Sequence, residues 1–491
     1  MEGIAGTFGF RDRALVRNML EKLEHRGPEV ADIVADTYLV LGARRPERRL
    51  GEHVLAIAEE DGVAVACDSY LFNKDLLRKT IVPSLDERAP DSRLILGMYK
   101  TVGTRIFNYL DGAYAIAILD GGKTILARDQ FGLKPLYFSG DLRRGSYSSE
   151  IKSQVLAGED FRPFPPGKMF VSDQGFSGIE PKKMPWAGDA KVKDQAKHLH
   201  SLMVESVLAC MDGTEKLNIL LSGGIDSSVV ASAASELTED ISTVCVGMAG
   251  SEDLRMADKV SNLLHTHHKE RVYTLDDMLK ALDKVIYCAE SFDFPVVRSS
   301  IPNHMAAHML KDRSRMTLCG EGGDEIFAGY EYMRDLRNDK ALRAERASLL
   351  ASAYLTKFQR VDRMTSSASL DGRLPMMNQT VVEFGLSLGW KALLGPKGDQ
   401  RELALRKAFE ASLPKDVLSR RKKRFSDGAG SMTALVAHAA SSIPDKEFEK
   451  ERKELPNDRI RTKEELLYYR IFKKHFPSES AAACVGITAR P

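Results

Sequence analysis

Two short stretches carry most of the chemistry this sequence could do. In LLSGGIDSS, Leu220 to Ser228, Gly223 and Gly224 let the backbone come close to an oxyanion, and Ser222, Ser227 and Ser228 add hydroxyls. The run Leu217 to Leu221 (LNILL) reads as a buried strand and Ser228 to Leu237 as a helix, so the helix start offers free N–H groups at the same spot. That combination cradles pyrophosphate. No lysine follows the glycines, so this is not the GxxxxGK[ST] loop, and kinase-style γ-phosphate transfer is disfavoured. Asp226 stands where a carboxylate could hold Mg²⁺ against the phosphates.

The second stretch is CGEGGDEIFAGY, Cys319 to Tyr330. It directly follows an expected strand, Met316 to Cys319, and gathers Glu321, Asp324 and Glu325 around Gly322 and Gly323. In open α/β folds ligands sit at the carboxyl edge of the sheet, so one carboxylate there can bind Mg²⁺ while another takes a proton from an amine. A lone SGG would deserve the plainer reading of a capped Gly-Ser turn. A solvated acidic turn accounts poorly for carboxylates and glycines packed this tightly.

The elements that must position these loops fall into two halves. With 491 residues the chain exceeds one ordinary core of about 150 residues, and two domains are expected. Residues 1 to 185 read as strands and turns, with helices at Asp12 to Glu24 and Asp91 to Tyr99 and turn signals at Asp61-Gly62 and Asp120-Gly121-Gly122. PKKMPWAGDAKVKDQ, Pro181 to Gln195, is poor in apolar residues and reads as the junction. From residue 196 to 491 strands and helices alternate, Ile241 to Met248 and Asp253 to Leu264 among them. After Asp335 the pattern is almost wholly helical to Phe476, and the last dozen or so residues read as weakly structured.

Composition excludes several other classes. Lys+Arg 71 against Asp+Glu 69 leaves a net charge of +2, with no global field to attract nucleic acid or an anionic membrane. No apolar run reaches the ~18 residues that span a bilayer, and no leader is evident. The six cysteines show no CxxC and no short ladder with histidines, which fits reduced thiols in a cytoplasm. His304 and His308 are spaced four apart without an intervening Glu, so they read as packing residues, and His265, His267 and His268 likewise.

The two loops together resemble the asparagine synthetase family. Further matching stretches are HRGP at His25 to Pro28, LDGAYAIAILD at Leu110 to Asp120, ARDQFGLKPLY at Ala127 to Tyr137, SSEIKS at Ser148 to Ser153 and RRKKRFSDG at Arg420 to Gly428. TKEELLYYRIFKKHFPSESAA, Thr462 to Ala482, is also similar to that family's tail. The resemblance implies an αββα sandwich of N-terminal-nucleophile type, then an α/β ATP-pyrophosphatase domain with a helical carboxyl-terminal part. It implies ATP and Mg²⁺ as cofactors and a small amino-acid-like acid as substrate; a homodimer is one assembly it leaves open.

Carried over position by position, the resemblance makes Ser222, Gly223, Gly224, Asp226, Ser227 and Ser228 the pyrophosphate loop. Leu221, Val246, Gly247 and Gly320 match adenosine contacts, and Asp226 and Asp324 match the Mg²⁺ carboxylates. Glu321 matches the residue that assists amine attack and Lys422 a charge-stabilising lysine, with the other four cations of Arg420 to Arg424 expected to be exposed. Asp371, in SLDGRLPMMN where the family has GLEARVPFLD, is a third catalytic candidate. The same stretch has Asn378 for the family's final Asp, and Cys319 replaces a Ser beside adenine, so the acid activated need not be aspartate.

The first half departs further. Glu2 stands where the family has its nucleophilic cysteine, and DSYLFN, Asp68 to Asn73, replaces NGEIYN, whose Asn and Gly line the oxyanion hole. Asp68 puts an anion where an oxyanion must form, and Tyr70 fills a substrate-binding position. Asp91 and one of Arg44 or Arg45 still match glutamine-binding positions. The expectation is a retained fold without glutaminase activity.

An adenylating half without that nitrogen source needs another amine. One reading places it within the substrate, closing a ring as β-lactam synthetases do, although those relatives carry Tyr where this chain has Glu321. A second uses free ammonia, as an ammonia-dependent asparagine synthetase or an amide synthetase for another acid, and Glu321 with FSDG favours it. A catalytically silent paralogue is disfavoured by Asp226, Asp324, Glu321 and Lys422. Ring closure comes first because losing the nitrogen source is easiest when none is needed.

Overall fold

The computed structural model describes residues 2–28, 30–45, 56–180, 192–211, 213–311, 313–398, 400–421, 428–455 and 459–488. The chain forms two compact units, Met1–Met184 with Phe476–Cys484, and Pro185–His475 with Val485–Pro491.

The first unit holds two six-stranded antiparallel sheets. One runs Phe161–Pro163, Tyr137–Gly140, Gly145–Ser148, Gly3–Phe8, Leu39–Arg45, Val30–Ala35. The other runs Gly175–Gly178, Lys168–Val171, Lys123–Arg128, Gly112–Asp120, Val63–Leu71, Ala58–Glu60. Strand alternation sorts the side chains into layers. Ala64, Ala66, Ala115 and Ala117 join Ile4, Leu41, Phe138 and Phe170 in the core between the sheets. Their neighbours Val65, Cys67, Ile116 and Ile118 face outward onto Leu94, Ile95 and Met98 of the Asp91–Val102 helix. On the other outer face Val16, Met19 and Leu20 of the Arg13–Glu21 helix pack on Val40. This is the αββα sandwich. Both Asp61 (φ 50°) and Gly62 (φ 78°) are left-handed, as a tight hairpin between twisted strands requires.

The second unit is built on five parallel strands, β1 (Leu217–Leu220), β2 (Ile241–Gly247), β3 (His267–Val272), β4 (Met316–Leu318) and β5 (Asp371–Arg373). Their order is β3-β2-β1-β4-β5. The direction of winding reverses between β1 and β4, and a crevice opens there at the carboxyl ends of the strands. β5 interrupts the region expected to be almost wholly helical. It pairs with only three residues of β4, too short a run to show a period of two in the sequence.

The tail differs from expectation as well. Glu479–Cys484 is a helix with Ala481 and Cys484 buried, and it belongs with the first unit rather than the second, whose expected span was 196 to 491. Cys484 Sγ lies 3.8 Å from the Phe161 carbonyl. All six cysteines are free and buried. Among the described residues no helix is long and apolar enough to cross a membrane.

Candidate functional site

The loop after β1 is tied into a fixed shape by its own hydroxyls. Ser222 N donates to Ser227 Oγ at 3.2 Å, Gly224 N donates to Ser222 Oγ at 3.3 Å, and Ser227 Oγ donates to the Gly224 carbonyl at 3.2 Å. Gly223 has φ 66°, and a Cβ there would meet the backbone nitrogen of Ala257 at 2.5 Å. Only glycine satisfies both constraints. Gly224 caps the Ile225–Ser235 helix without a side-chain cap, leaving the first-turn N–H groups for a ligand.

The loop after β4 packs directly against it. A Cβ on Gly320 would meet Ser227 N at 2.6 Å, and one on Gly323 would meet Asp226 Oδ1 at 2.2 Å. The two motifs therefore share one wall. They open on a cavity of about 700 Å³ lined by Leu221, Ser222, Gly224, Asp226, Ser227, Val246, Gly320, Glu321 and Asp324 among the expected residues. Gly223, Ser228 and Gly247 lie behind that surface; Ser228 is fully buried, and a Cβ on Gly247 would strike Ser251 Oγ at 2.2 Å. They shape the loop and strand end without lining the cavity.

Asp226 and Asp324 come together with a residue that sequence reasoning missed. One carboxylate oxygen from each, and one from Glu402, lie within 4.8 Å of one another. Glu402 is fully buried, has φ 54° and pairs with Arg406 at 3.2 Å. A Cβ on Gly329 would fall 1.9 Å from Asp324 Oδ1 and 2.8 Å from Glu402 Oε1, so glycine is what lets these carboxylates converge. Hard oxygen donors that converge, two of them half-buried and one buried, suit a divalent cation such as Mg²⁺. Nothing in the Gln400–Leu403 stretch marks this residue as a ligand.

Further along the wall, charges alternate. Arg360 Nη2 donates to Glu321 Oε1 at 2.8 Å. One turn earlier on the Lys357–Ser366 helix, Lys357 pairs with the buried Glu325, which also accepts from the Tyr330 hydroxyl. The Lys357 ammonium lies 4.1 Å from the Tyr330 ring centroid, over its face. Burial pushes the Cys245 and Cys319 thiols upward, so both stay neutral; Cys319 does not line the cavity.

Several expectations need correction. Asp371 sits at the amino end of β5, opposite Met316, and is buried against Arg373 at 2.8 Å. Parallel strands carry their ligands at the other end, so Asp371 does not line the cavity. Asn378 accepts from Thr380 N at 2.9 Å and caps the Gln379–Ser387 helix. Arg420 is no exposed bystander: it pairs with Asp253, and its Nη1 donates to the Ser222 carbonyl at 3.3 Å, bracing the loop after β1. Lys422 lies outside the described residues. His304 donates to or accepts from Ser367 Oγ at 2.8 Å, and burial lowers its pKa to about 3, in keeping with a packing role.

In the first unit, the place from which the nucleophile and oxyanion hole were expected to be lost holds buried ion pairs. The Glu2 N–H donates to Asp68 Oδ1 at 3.0 Å, while Arg26 Nη1 and Lys134 Nζ reach Asp68 at 3.0 and 3.2 Å. Arg26 also pairs with Glu150, as do Lys152 and His25. Asp68, Glu150 and Arg26 are all fully buried. Burial pushes the Glu2 carboxyl up to about 7 against the opposing pull of Arg45, 3.8 Å away. Asp91 is held by Ser69 at 2.8 Å and Lys74 at 2.9 Å, and Arg44 donates to the Gly27 carbonyl at 2.8 Å.

Comparison with known proteins covers nearly the whole chain. Residues 198–357 and 337–486 match the family model described as asparagine synthase, and residues 1–163 match the glutamine amidotransferase domain. A glutamine-hydrolysing asparagine synthetase of Brassica oleracea is 30% identical over 519 residues, covering 99% of this chain and 88% of its own. The corresponding protein of Sandersonia aurantiaca is 30% identical and covers 97% of each chain. A probable asparagine synthetase of Schizosaccharomyces pombe is 29% identical, covering 96% of this chain and 92% of its own.

Proposed function

Because the chain belongs to the asparagine synthetase family, we propose that it joins a carboxylate, activated by ATP as its adenylate, to an amine that does not come from glutamine. ATP-dependent C–N ligation is the family's chemistry. The observation that carries the nitrogen part is the closed network on Asp68, which accepts from the Glu2 N–H and from two buried cations. Glu2 offers no thiol to attack an amide, the neighbouring Cys67 thiol is buried and held neutral, and the network leaves no vacant donor pair for an oxyanion.

In the second unit the loop Ser222–Ser228 receives the phosphates, and Arg420 braces it through the Ser222 carbonyl. A substrate carboxylate oxygen attacks the α-phosphorus, the bond to the bridging oxygen breaks, and pyrophosphate leaves. Asp226, Asp324 and Glu402 would hold Mg²⁺, which supplies positive charge to the departing pyrophosphate. The amine nitrogen then attacks the acyl carbon, AMP leaves, and Glu321 accepts the proton. Arg360 orients that carboxylate from 2.8 Å.

In the first reading the amine belongs to the substrate itself and the product is a ring of β-lactam type. The second reading is amidation by free ammonia, and Glu321 favours it, since β-lactam synthetases carry Tyr at that position. Incubation with ATP, Mg²⁺ and candidate acids, with and without ammonium, separates them by pyrophosphate release. Ammonium-independent turnover of a β-amino or diamino acid supports ring closure. Turnover of aspartate that rises with ammonium overturns it.

A further inference from the structure

A second cavity of about 550 Å³ adjoins the first, and Arg406, Arg420 and Arg421 line both. Its wall also carries Arg334, Arg401 and Lys407, and Glu410 is the one carboxylate on it among the described residues. Most of these cations come from two short segments. Arg406 and Lys407 lie on the Leu403–Ala408 helix, and Arg420 and Arg421 follow the Lys415–Ser419 helix. Arg406 ties the segments together by donating to the Leu418 carbonyl and, at 2.8 Å, to the Arg401 carbonyl.

Four of the cations are fixed by the fold. Arg334 and Arg401 share Glu331, Arg406 pairs with Glu402, and Arg420 pairs with Asp253. Arg401 is buried and also donates to the Gly329 carbonyl at 3.1 Å. Lys407 and Arg421 have no carboxylate partner among the described residues. By contrast Glu345, on the wall of the first cavity alone, accepts from the Tyr332 hydroxyl at 2.6 Å and meets no cation among the described residues. A cleft lined by fixed charge of one sign concentrates ions of the other. Guanidinium forks and an ammonium together suit the oxygens of phosphate groups.

We propose that the second cavity is a binding site for inorganic pyrophosphate, distinct from the loop Ser222–Ser228, and that it receives the pyrophosphate set free when the acid is adenylated. This rests on the ligase reading, which supplies the pyrophosphate. Glu402 stands at the junction, because it converges with Asp226 and Asp324 and also pairs with Arg406. Pyrophosphate leaving that cluster meets Arg406, Arg420 and Arg421 first, and Lys407 and Arg421 supply the charge that holds it.

The test is calorimetric titration of inorganic pyrophosphate, with Mg²⁺, into the intact chain saturated with α,β-methylene-ATP, which fills the loop and cannot be cleaved there. Pyrophosphate should still bind. Lys407→Gln and Arg421→Gln, which break no ion pair among the described residues, should each weaken it by about tenfold and leave the affinity for the analogue unchanged. Loss of pyrophosphate binding once the loop is filled, equal affinity in intact chain and variants, or equal affinity for sulfate overturns the site and leaves the ligase standing. If the analogue does not bind, the ligase reading itself falls, and titration of the nucleotide-free chain and the same variants then decides the cavity.

Discussion

Arg360 Nη2 lies 2.8 Å from Glu321 Oε1, joining a helix residue to the turn after β4 across 39 positions of sequence. The guanidinium fixes one carboxylate oxygen, and the side chain lines the cavity beside the cation cluster. Glu321→Gln keeps the shape and the hydrogen bond but cannot take a proton. Amide formation should fall by about 10²- to 10³-fold, the usual worth of general-base catalysis, while ATP–pyrophosphate exchange persists. Equal loss of both would remove Glu321 from the role of base.

Gly329→Ala tests the cation cluster without touching a carboxylate. Its Cβ would fall 1.9 Å from Asp324 Oδ1, so that side chain must move away from Asp226 and Glu402. The Mg²⁺ concentration for half-maximal pyrophosphate release should rise by about tenfold or more, as for disturbed metal ligation in general. An unchanged Mg²⁺ titration would show that these carboxylates do not hold the metal.

Glu2→Cys should not restore glutaminase activity. The thiol would return, but Asp68, held by Arg26 and Lys134, still places negative charge where the oxyanion must form. Glutamate release from glutamine should stay at background in this variant. Substantial hydrolysis would show that Asp68 does not block the site.

Glu2 also makes stability depend on pH. Its carboxyl is raised from 4.5 to about 7 in the folded protein, chiefly by burial. The folded state therefore binds this proton more tightly than the unfolded one. Between pH 4.5 and about 7 stability falls as pH rises, by up to ~1.4 kcal/mol per pH unit, and the penalty is fully present above 7. Thermal unfolding of Glu2→Gln at pH 5.5 and pH 8 should show a flatter dependence and a higher Tm at pH 8. A steeper slope in the variant would contradict the upward shift of the Glu2 carboxyl.

Legibility in the sequence followed distance along the chain. The loop Ser222–Ser228 was readable because strand, glycines, hydroxyls and helix start are consecutive, and the turn at Cys319–Glu325 for the same reason. Arg360, Lys357, Glu345 and Glu402 gave no signal. Arg360, Lys357 and Glu345 sit on helices that read as ordinary amphipathic or polar segments, Glu402 is the left-handed residue just before another helix, and only folding brings them to the loops. Arg420 looked like one of five surface cations until Asp253 and the Ser222 carbonyl met it. Asp371 misled because its neighbours resemble a motif, whereas strand direction carries it to the far edge of the sheet.

By itself, then, the sequence determined the two layered folds, the nucleotide loop, the Asp226 and Asp324 carboxylates and the missing nucleophile at position 2, since each depends on local spacing or residue type. Tertiary structure alone decided which charges cancel. Pairing across the cavity neutralises Glu321, Glu325 and Asp253, draws Glu402 to the cation cluster and leaves Glu345 without a cation among the described residues. Electrostatic energy depends on separation in space, and no one-dimensional pattern encodes which side chains end up within 4 Å of each other.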